Sequence, residues 1–368
     1  MRIKIGLVTF FRNNYGSALQ CYATKTFLQK NGYECDVLYE YSYGFEKMKS
    51  RIKHLSRIAI YSLLYRDFSK NRKQINKSIS TSGKSLTSES KFKLDWFCET
   101  VLQPRGVEYS LLSDKRFADE YSYFIAGSDQ IWGGAYLVQP FMFLEFAPDE
   151  KKIALCPSFG VERIKKFNVR PFKKSIAKFT NLSVREESGQ RIIEELIGRK
   201  LPILSDPVML LDSGEWHEFA KNSTIKQRNY IFVHFLGTPS EVAIRCINQI
   251  VSEHELNVVC FANNYNAYDE LKVHSFVDGS PYDYVSLIEN ASFVCTDSFH
   301  TSHYSIIFNR KFFTFERNYG HHNKQSTRIH NLFSMYECSE RFIKEAAITE
   351  ELLNATPNFD AVRETKSR

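Results

Sequence analysis

The fold class is decided by residues 3–39, which read IKIGLVTFFRNNYGSALQCYATKTFLQKNGYECDVLY. Ile3–Phe10 is an apolar run of the kind that forms a strand, and Ser17–Lys30 carries apolar residues at helical spacing. Gly32 ends that helix, and Cys35–Tyr39 has the pattern of the next strand. Because a helix separates the two strands, we expect them to pair in parallel with a right-handed crossover, as in a βαβ unit.

The same alternation continues through most of the chain, which predicts an α/β fold with parallel sheets. Further strands are predicted at Tyr123–Ala126, Lys152–Pro157, Leu182–Val184, Leu201–Leu204, Tyr230–Phe235, Asn257–Phe261, Phe293–Thr296 and Lys311–Phe315. Helices are predicted at 171–181, 187–198, 239–254, 281–290 and Ser302–Phe308. We therefore predict two Rossmann-like domains that face a central cleft, where open α/β sheets bind their ligands.

Composition and the domain bounds agree with that expectation. The chain has 368 residues, 43% of them hydrophobic and 25% charged, so wholesale disorder is excluded. We predict an N-terminal domain over 1–220 with a basic insertion at 46–100, a C-terminal domain over 221–345, and a tail over 346–368. The linker between the domains is placed within 213–229, where the composition is weakest.

The positive charge is concentrated in one segment. Residues 47–93 hold 13 Lys and Arg against 2 acidic residues, a local balance of +11, whereas the whole chain is at +7 and the remainder at −4. Ile52, Leu55, Ala59 and Leu63 give this segment an apolar stripe, which is typical of a helix on an anionic membrane. A solvated helix packed on its own domain explains the stripe equally well. The stretch 76–91 is rich in Ser, Thr and Lys and predicts a loop.

Targeting and redox signals are few. No apolar run approaches the roughly 18 residues that a transmembrane helix needs, and the N-terminus lacks a secretory signal. The eight cysteines are widely spaced without a CxxC pair and are expected to be buried thiols. These features predict a cytoplasmic protein.

The most informative motif is VCTDSFHTS at 294–302, where a strand runs into polar residues and then into a helix. The hydroxyls of Ser298 and Thr301 and the free backbone N–H groups of the helix start form an anion site. His300 would lie at its mouth as a proton donor or acceptor. A capped helix with a half-buried histidine explains the same residues about as well.

Two other strand ends carry polar residues. Arg185 in LSVREESG at 182–189 can fork onto a carboxylate or phosphate, although a surface pair with Glu186 explains it better when taken alone. In GSDQIW at 127–132, Asp129 and Gln130 can bind sugar hydroxyls, although an Asx turn explains Asp129 nearly as well.

Several common sites are not expected. NNYGS at 13–17 lacks the GxGxxG and GxxxxGK[ST] patterns, so a dinucleotide site and a P-loop are disfavoured. His300 and His303, and the adjacent pair at 321–322, have no HExxH motif or carboxylate beside them, so no metal site is predicted. Lys324 and Arg328 share one helix face and point either at the cleft or at water.

Four motifs together resemble the polysaccharide pyruvyl transferase family. They are NNYGSALQCYA at 13–23, FIAGSDQIW at 124–132, LSVREESG at 182–189 and VCTDSFHTSHYSIIFNRKFFTF at 294–315. DPVMLLDSGEW at 206–216 and STRIHNLF at 326–333 are also similar. The resemblance covers roughly residues 1–335 apart from the insertion at 46–100, and it lies in the order and spacing of the motifs.

The resemblance implies a fold similar to the GT-B glycosyltransferases. It also implies transfer of the pyruvyl group of phosphoenolpyruvate onto two hydroxyls of a sugar in a cell-surface polysaccharide or its lipid-linked precursor. The products would be a pyruvate ketal and phosphate, with no metal or other cofactor. The N-terminal domain would hold the acceptor glycan and the C-terminal domain the phosphoenolpyruvate, and the basic segment 47–93 would bring the enzyme to the inner face of an anionic membrane.

Roles of individual residues follow from the resemblance and from the chemistry. By position, Arg185 and His300 face phosphoenolpyruvate, and His300 is the predicted general acid and base, ahead of Glu186 and Asp129. The predicted phosphoenolpyruvate-binding residues are Arg185, Ser298, His300, Thr301, Lys324 and Arg328. The predicted acceptor-binding residues are Asn14, Tyr15, Asp129 and Gln130. Family members with a T/S-D-R-x-H pattern have an arginine where this chain has Ser298, so Arg185, Arg328 or Lys324 would replace that contact.

Two alternatives stay open at this stage. A GT-B glycosyltransferase that uses a nucleotide sugar would share the fold, although the C-terminal half shows no distinctive base or ribose motif. A non-enzymatic protein that binds nucleic acid or a membrane through 47–93 would share the charge. In that segment the aromatic residues do not interleave with the basic ones as in a stacking platform, so nucleic acid is not an expected partner.

Overall fold

The computed structural model describes residues 2–41, 56, 86–108, 115–133, 139–261, 268–317, 326–344 and 348–360. Most of the basic segment 47–93, including its apolar stripe, lies outside the described residues, and so does Lys324.

The described elements alternate between strand and helix. The strands are β1 (Lys4–Val8), β2 (Glu34–Tyr41), β3 (Arg105–Glu108), β4 (Tyr123–Ala126), β5 (Lys152–Ala154), β6 (Asn181–Leu182), β7 (Tyr230–His234), β8 (Asn257–Phe261), β9 (Val273–Val277), β10 (Phe293–Thr296), β11 (Lys311–Phe315) and β12 (Phe342–Ile343). The helices are α1 (Tyr15–Lys30), α2 (Ser88–Phe97), α3 (Lys115–Asp119), α4 (Val169–Ile176), α5 (Glu187–Ile197), α6 (Ser213–Ala220), α7 (Glu241–His254), α8 (Pro281–Glu289), α9 (Phe299–Ile307), α10 (Ser326–Met335) and α11 (Glu350–Asn354).

The described strands form two parallel sheets with the same connectivity. The first sheet has the order β3-β2-β1-β4-β5-β6, and the second has the order β12-β11-β10-β7-β8-β9. Counted from its own first strand, each is a Rossmann sheet of order 3-2-1-4-5-6. The prediction of two Rossmann-like domains with GT-B-like architecture is confirmed. The connectivity reverses between β1 and β4 in one domain and between β7 and β10 in the other, and ligands bind beyond the strand ends at such points.

Two predicted segments differ in the structure. The predicted strand Leu201–Leu204 is wrong, because this stretch makes only one bridge, between Val184 and Ile203. Pro202 has no N–H to extend the ladder. The predicted linker contains α6, which Asp212 and Glu215 start with a reciprocal capping box.

The structure also differs from the sequence prediction at the sheet edges and at residues 88–91. The predicted loop 76–91 runs into α2, whose first residues are capped by the Thr87 hydroxyl. The strands β3, β9 and β12 were not predicted. All three lie at or beside a sheet edge, where apolar patterning is weak.

The two domains share a hydrophobic core. Besides one cluster within each domain, a third joins side chains of α1 to side chains around β7, β10 and α9. Tyr15 of α1 stacks on Tyr284 with ring centroids 5.6 Å apart, and its hydroxyl donates to the carbonyl of Gly279 at 2.6 Å. This packing fixes the start of α1 against the C-terminal domain.

Two further predictions concern the thiols and the membrane. All eight cysteines are free and buried, as expected. Among the described helices, none is both long and apolar enough to cross a bilayer.

Candidate active site

A cluster of charged side chains, with one serine hydroxyl bonded to it, lies where the two domains meet. Its members are Ser17 of α1, Asp129 beyond β4, Arg185 beyond β6, Asp206, and His300 in the first turn of α9. We call this set the interdomain charge cluster. The N-terminal domain supplies every member except His300, so the cluster exists only when the domains are assembled.

Asp206 lies at the centre of the interdomain charge cluster. Its Oδ2 accepts a hydrogen bond from Arg185 Nη1 at 2.5 Å and lies 3.5 Å from His300 Nε2. Its Oδ1 accepts from the backbone N–H of Val208, because Asp206 caps the short helix that Pro207 opens. Burial opposes the charge of this carboxylate, yet His300 and Arg185 together hold its pKa far below the usual range.

Arg185 is almost fully buried, with a side chain that is 1% exposed. Besides contacting Asp206, its Nη1 lies 3.3 Å from Ser128 Oγ, and its Nη2 lies 3.7 Å from Asp129 Oδ1. The guanidinium carbon lies 4.8 Å from the ring centroid of Phe299. Burial disfavours its charge, but the coulombic attraction of Asp206 and Asp129 outweighs it and raises the pKa of Arg185. Within the described residues, Nε and Nη2 have no hydrogen-bond partner, so two buried donors are left for an anionic ligand.

Asp129 sits at a strained turn beyond β4. Its φ of 64° is in the left-handed region, which aspartate tolerates better than most residues. Its Oδ2 accepts from the hydroxyl of Ser17 at 2.5 Å, which ties this turn to the first turn of α1. Burial raises the pKa of Asp129, but Arg185 and His300 overcome that effect and the pKa is lowered.

His300 contacts α1 across the domain interface. A Cβ on Gly16 would lie 2.0 Å from His300 Nδ1, so the imidazole occupies the space that any larger residue at 16 would need. His300 is only 8% exposed, and among the described residues its Nε2 makes no hydrogen bond. Glycine is therefore needed at position 16 for close approach and not for its backbone freedom.

A second arginine also stacks over Phe299. Arg328 of α10 stacks over that ring at 5.4 Å, and with its amide oxygen turned toward Arg328, Gln130 accepts from both Nη atoms at 2.8 and 2.7 Å. Burial and the nearby charge of Arg185 lower the pKa of Arg328 to about 10, so it remains protonated at neutral pH.

An open hollow of about 280 Å³, part of it solvent, borders this arginine. It is lined by Asp297, Phe299, Glu316, Arg317, Arg328, Ile329 and Phe342.

Several predicted site residues have structural contacts instead of a place in the interdomain charge cluster. Ser298 caps α9 by accepting from the backbone N–H of Thr301. The Thr301 hydroxyl is shared by His234 Nδ1 at 2.9 Å and Tyr284 at 2.7 Å. Oε1 of Glu186 accepts from the Ser158 hydroxyl at 2.9 Å, and its Oε2 lies 3.9 Å from Arg185 Nε at the border of the cluster. The ligand roles predicted for these residues stay predictions.

The predicted acceptor residues of α1 also cap and pack. Asn14 is the N-cap of α1 and accepts from the backbone N–H of Ser17 at 3.1 Å. Tyr15 is buried in the interdomain core and points toward Gly279, as described above. Their roles in acceptor binding stay predictions, and so does the replacement of the family arginine at Ser298 by Arg328, which stacks on the next residue along the chain.

Two site carboxylates were missed from the sequence. Asp206 opens the DPVMLLDSGEW stretch at 206–216, and its Asp-Pro pattern gives no sign of its partners. Asp297 accepts from the backbone N–H groups of Leu236 and Gly237 at 2.6 and 2.7 Å and pairs with Arg317 at 3.2 Å. The TDS sequence at 296–298 signalled a polar strand end, but not that Asp297 would tie together the loops after β7 and β11.

Within the part of the chain that the structure describes, no group of three or more His, Cys, Asp or Glu side chains is placed to hold a metal ion.

Comparisons with known proteins give one family and one fold. A family model described as "Polysaccharide pyruvyl transferase" matches residues 14–319. None of the curated proteins matches the chain significantly.

Among solved structures, a UDP-N-acetylglucosamine 2-epimerase is 11% identical with a TM-score of 0.52, over 100% of this chain and 90% of that one. A putative UDP-N-acetylglucosamine 2-epimerase from Listeria monocytogenes is 9% identical with a TM-score of 0.48, over 99% of this chain and 94% of that one. The E. coli heptosyltransferase WaaC with ADP is 11% identical with a TM-score of 0.40, over 99% of each chain. At these identities the likeness concerns the fold alone.

Proposed function

The chain belongs to the polysaccharide pyruvyl transferase family, and from that premise we propose that it uses phosphoenolpyruvate to build a pyruvate ketal on a sugar. The acceptor is a cell-surface polysaccharide or its lipid-linked precursor, and the second product is inorganic phosphate. One observation carries the proposal above the others. Two buried guanidiniums, those of Arg185 and Arg328, stack over Phe299 near an imidazole that lies 3.5 Å from a buried carboxylate.

Phosphoenolpyruvate has two anionic groups, and the site has guanidinium N–H groups that can bind them. Phosphoenolpyruvate carries a phosphate and a carboxylate, and guanidinium groups bind both by charge-assisted hydrogen bonds. Among the described residues Nε and Nη2 of Arg185 make no hydrogen bond, and Arg328 borders the open hollow. We assign phosphoenolpyruvate to the space beside these two groups, at the N-terminal end of α9, where the helix dipole also favours negative charge.

The chemistry needs one proton donor and two hydroxyl groups. His300 donates a proton to the methylene carbon of phosphoenolpyruvate, and C2 takes on oxocarbenium character. The first sugar hydroxyl adds to C2 and loses its proton, and the second displaces phosphate from the same carbon. One of the two hydroxyl protons therefore reprotonates His300, and the other leaves with the phosphate.

Glu186 and Asp129 remain the candidate bases for the sugar hydroxyls. Oε2 of Glu186 has no hydrogen-bond partner among the described residues, whereas Asp129 is bonded to Ser17. Glu186 Oε2 is thus the carboxylate oxygen that is free to accept a proton.

Cellular context is part of the proposal. The enzyme works in the cytoplasm, and the charge of 47–93 supports attraction to the anionic inner face of the membrane, where a lipid-pyrophosphate-linked acceptor would be found. No resident cofactor is needed, because phosphoenolpyruvate already carries the activated carbon.

The test is acceptor-dependent phosphate release. The full chain is incubated with phosphoenolpyruvate and a panel of oligosaccharide and lipid-linked acceptors, and products are identified by mass spectrometry as pyruvate ketals. We expect release only with an acceptor, and a loss of about 100-fold or more in His300→Ala. A parallel panel of nucleotide sugars tests the glycosyltransferase alternative. Sugar transfer from a nucleotide donor, with no phosphate release from phosphoenolpyruvate, would overturn the proposal.

A further inference from the structure

A carboxylate that touches both the predicted proton donor and the predicted donor-binding arginine has no role in the chemistry above. We propose that Asp206 is a positioning residue: its carboxylate holds Arg185 and His300 at a fixed spacing across the domain interface and stabilises the imidazolium form of His300. The expected effect of Asp206 on turnover rests on the proposed function, whereas its contacts with Arg185 and His300 do not.

The contacts of Asp206 are divided between its two oxygens. Oδ1 is used by the backbone of Val208, which fixes the carboxylate plane. Oδ2 is left for Arg185 Nη1 at 2.5 Å and for His300 Nε2 at 3.5 Å. Because one oxygen serves both partners, a displacement of either one changes the field at the other.

The long distance to His300 matters for proton transfer. At 3.5 Å the contact is at the limit of a hydrogen bond, so the carboxylate favours the charged imidazole without holding the Nε2 proton tightly. Nδ1 faces Gly16 and has no room for a substrate. Nε2 is therefore the nitrogen that transfers the proton, and Asp206 remains ionised throughout.

The groups around Asp206 and His300 include both positively and negatively charged side chains. Asp206 is surrounded by His300, Arg185 and His303, and His300 is also within the field of Asp129. His303, buried on the next turn of α9, bonds to the Phe299 carbonyl through Nδ1 at 2.9 Å, and burial lowers its pKa to about 4, so it is neutral at pH 7. When Asp206 is neutralised, two carboxylates remain near Arg185, those of Asp129 and Glu186, and Asp129 also acts on His300.

The main experiment compares Asp206→Asn with wild type in the full chain. Asparagine keeps the shape and can still cap Val208, but it removes the charge. In ¹⁵N-labelled protein we expect the ring-nitrogen NMR signals of His300 to shift in the variant, because the negative charge 3.5 Å from Nε2 is gone. We also expect kcat to fall about 100-fold or more, with a smaller rise in KM for phosphoenolpyruvate, because the asparagine NH2 takes the place of Oδ2 and cannot accept from Arg185 Nη1.

Two controls separate positioning from stability. Asp212→Asn is the same substitution at the exposed N-cap of α6, and it should leave both the His300 ring-nitrogen signals and turnover unchanged. Asp206→Asn should slow turnover much less in a His300→Ala background than in wild type, because the part of its effect that acts through His300 is already lost there.

Where Asp206→Asn does not fold, Asp206→Glu serves instead. It keeps the negative charge but not the spacing to Arg185 and His300, so turnover should still fall.

The outcomes distinguish this inference from the proposed function. Unchanged ring-nitrogen signals of His300 in Asp206→Asn, or full turnover in either Asp206 variant, overturn the positioning role even in an active transferase. Wild-type protein that releases no phosphate from phosphoenolpyruvate overturns the proposed function, while the ring-nitrogen signals still decide whether Asp206 acts on His300.

Discussion

The contact between Gly16 and His300 makes the substitution Gly16→Ala the sharpest test of the candidate active site. Gly16 is the second residue of α1, and its backbone is helical, so alanine is compatible with the backbone and better for the helix by about 1 kcal/mol. The added methyl group would nevertheless lie 2.0 Å from Nδ1, 2.4 Å from Cγ and 2.6 Å from Cε1 of His300. Every one of these distances is far below a van der Waals contact.

The size of the effect follows from those distances. Carbon atoms and ring atoms pack at about 3.5–4.0 Å, so the imidazole must move by roughly 1.5 Å or α1 must move away. Overpacking of this kind costs about 1–3 kcal/mol, and the gain in helix propensity offsets part of it, leaving a net destabilisation of about 0–2 kcal/mol. A displacement of about 1 Å in a catalytic group lowers turnover by roughly 100-fold. We therefore expect a folded protein with a large loss of kcat.

The assay pairs acceptor-dependent phosphate release with thermal unfolding. Gly189→Ala is the matched control, because Gly189 also lies in the first turn of a helix and its added Cβ would meet Phe159 at 3.3 Å, a contact that small shifts relieve. The control should keep wild-type turnover. A double-mutant cycle adds a measure that does not need turnover: in His300→Ala the imidazole is gone, and the cost of Gly16→Ala should fall by about 1–3 kcal/mol.

The reasoning is refuted by a specific pair of results. If Gly16→Ala turns over like wild type and has the same effect on unfolding with and without the His300 ring, the two residues do not compete for one space.

Three other predictions concern packing, pH and donor binding. Tyr15→Phe removes the hydroxyl bonded to Gly279 and should cost about 1 kcal/mol of unfolding free energy with unchanged turnover, whereas a raised KM for the acceptor would place Tyr15 in the acceptor site instead. Burial lowers the pKa of His234 to about 3 and that of His303 to about 4. As the pH falls below about 6.5, these imidazoles take up protons in the unfolded chain but stay neutral in the folded one. Each imidazole therefore lowers the unfolding free energy by about 1.4 kcal/mol per pH unit. Calorimetry between pH 7 and 5 should show this loss, with a shallower slope in His234→Gln; an unchanged slope contradicts it. Arg328→Gln should weaken phosphoenolpyruvate binding about tenfold or more in titration calorimetry, and equal affinity would remove Arg328 from the donor site.

The sequence was sufficient for the fold because the information is local. A strand of the second sheet such as Phe293–Thr296 is a short apolar run with a helical pattern behind it, and this alternation alone requires parallel sheets. The strand ends could be located in the same way, so Asp129, Arg185 and His300 were all identified as candidates before any contact was known. The resemblance in motif order then pointed to the family.

The partners of those residues could be decided only by the tertiary structure. Ser17 and Asp129 are 112 residues apart and belong to different elements, and no periodicity encodes which hydroxyl meets which carboxylate. Asp206 has an ordinary turn pattern, yet it bridges Arg185 and His300 because two domains bring their strand ends together. Local patterning follows from backbone geometry and burial, which each segment carries by itself. The charge cluster depends on packing between segments distant in the chain, and that packing exists only in the folded, assembled protein.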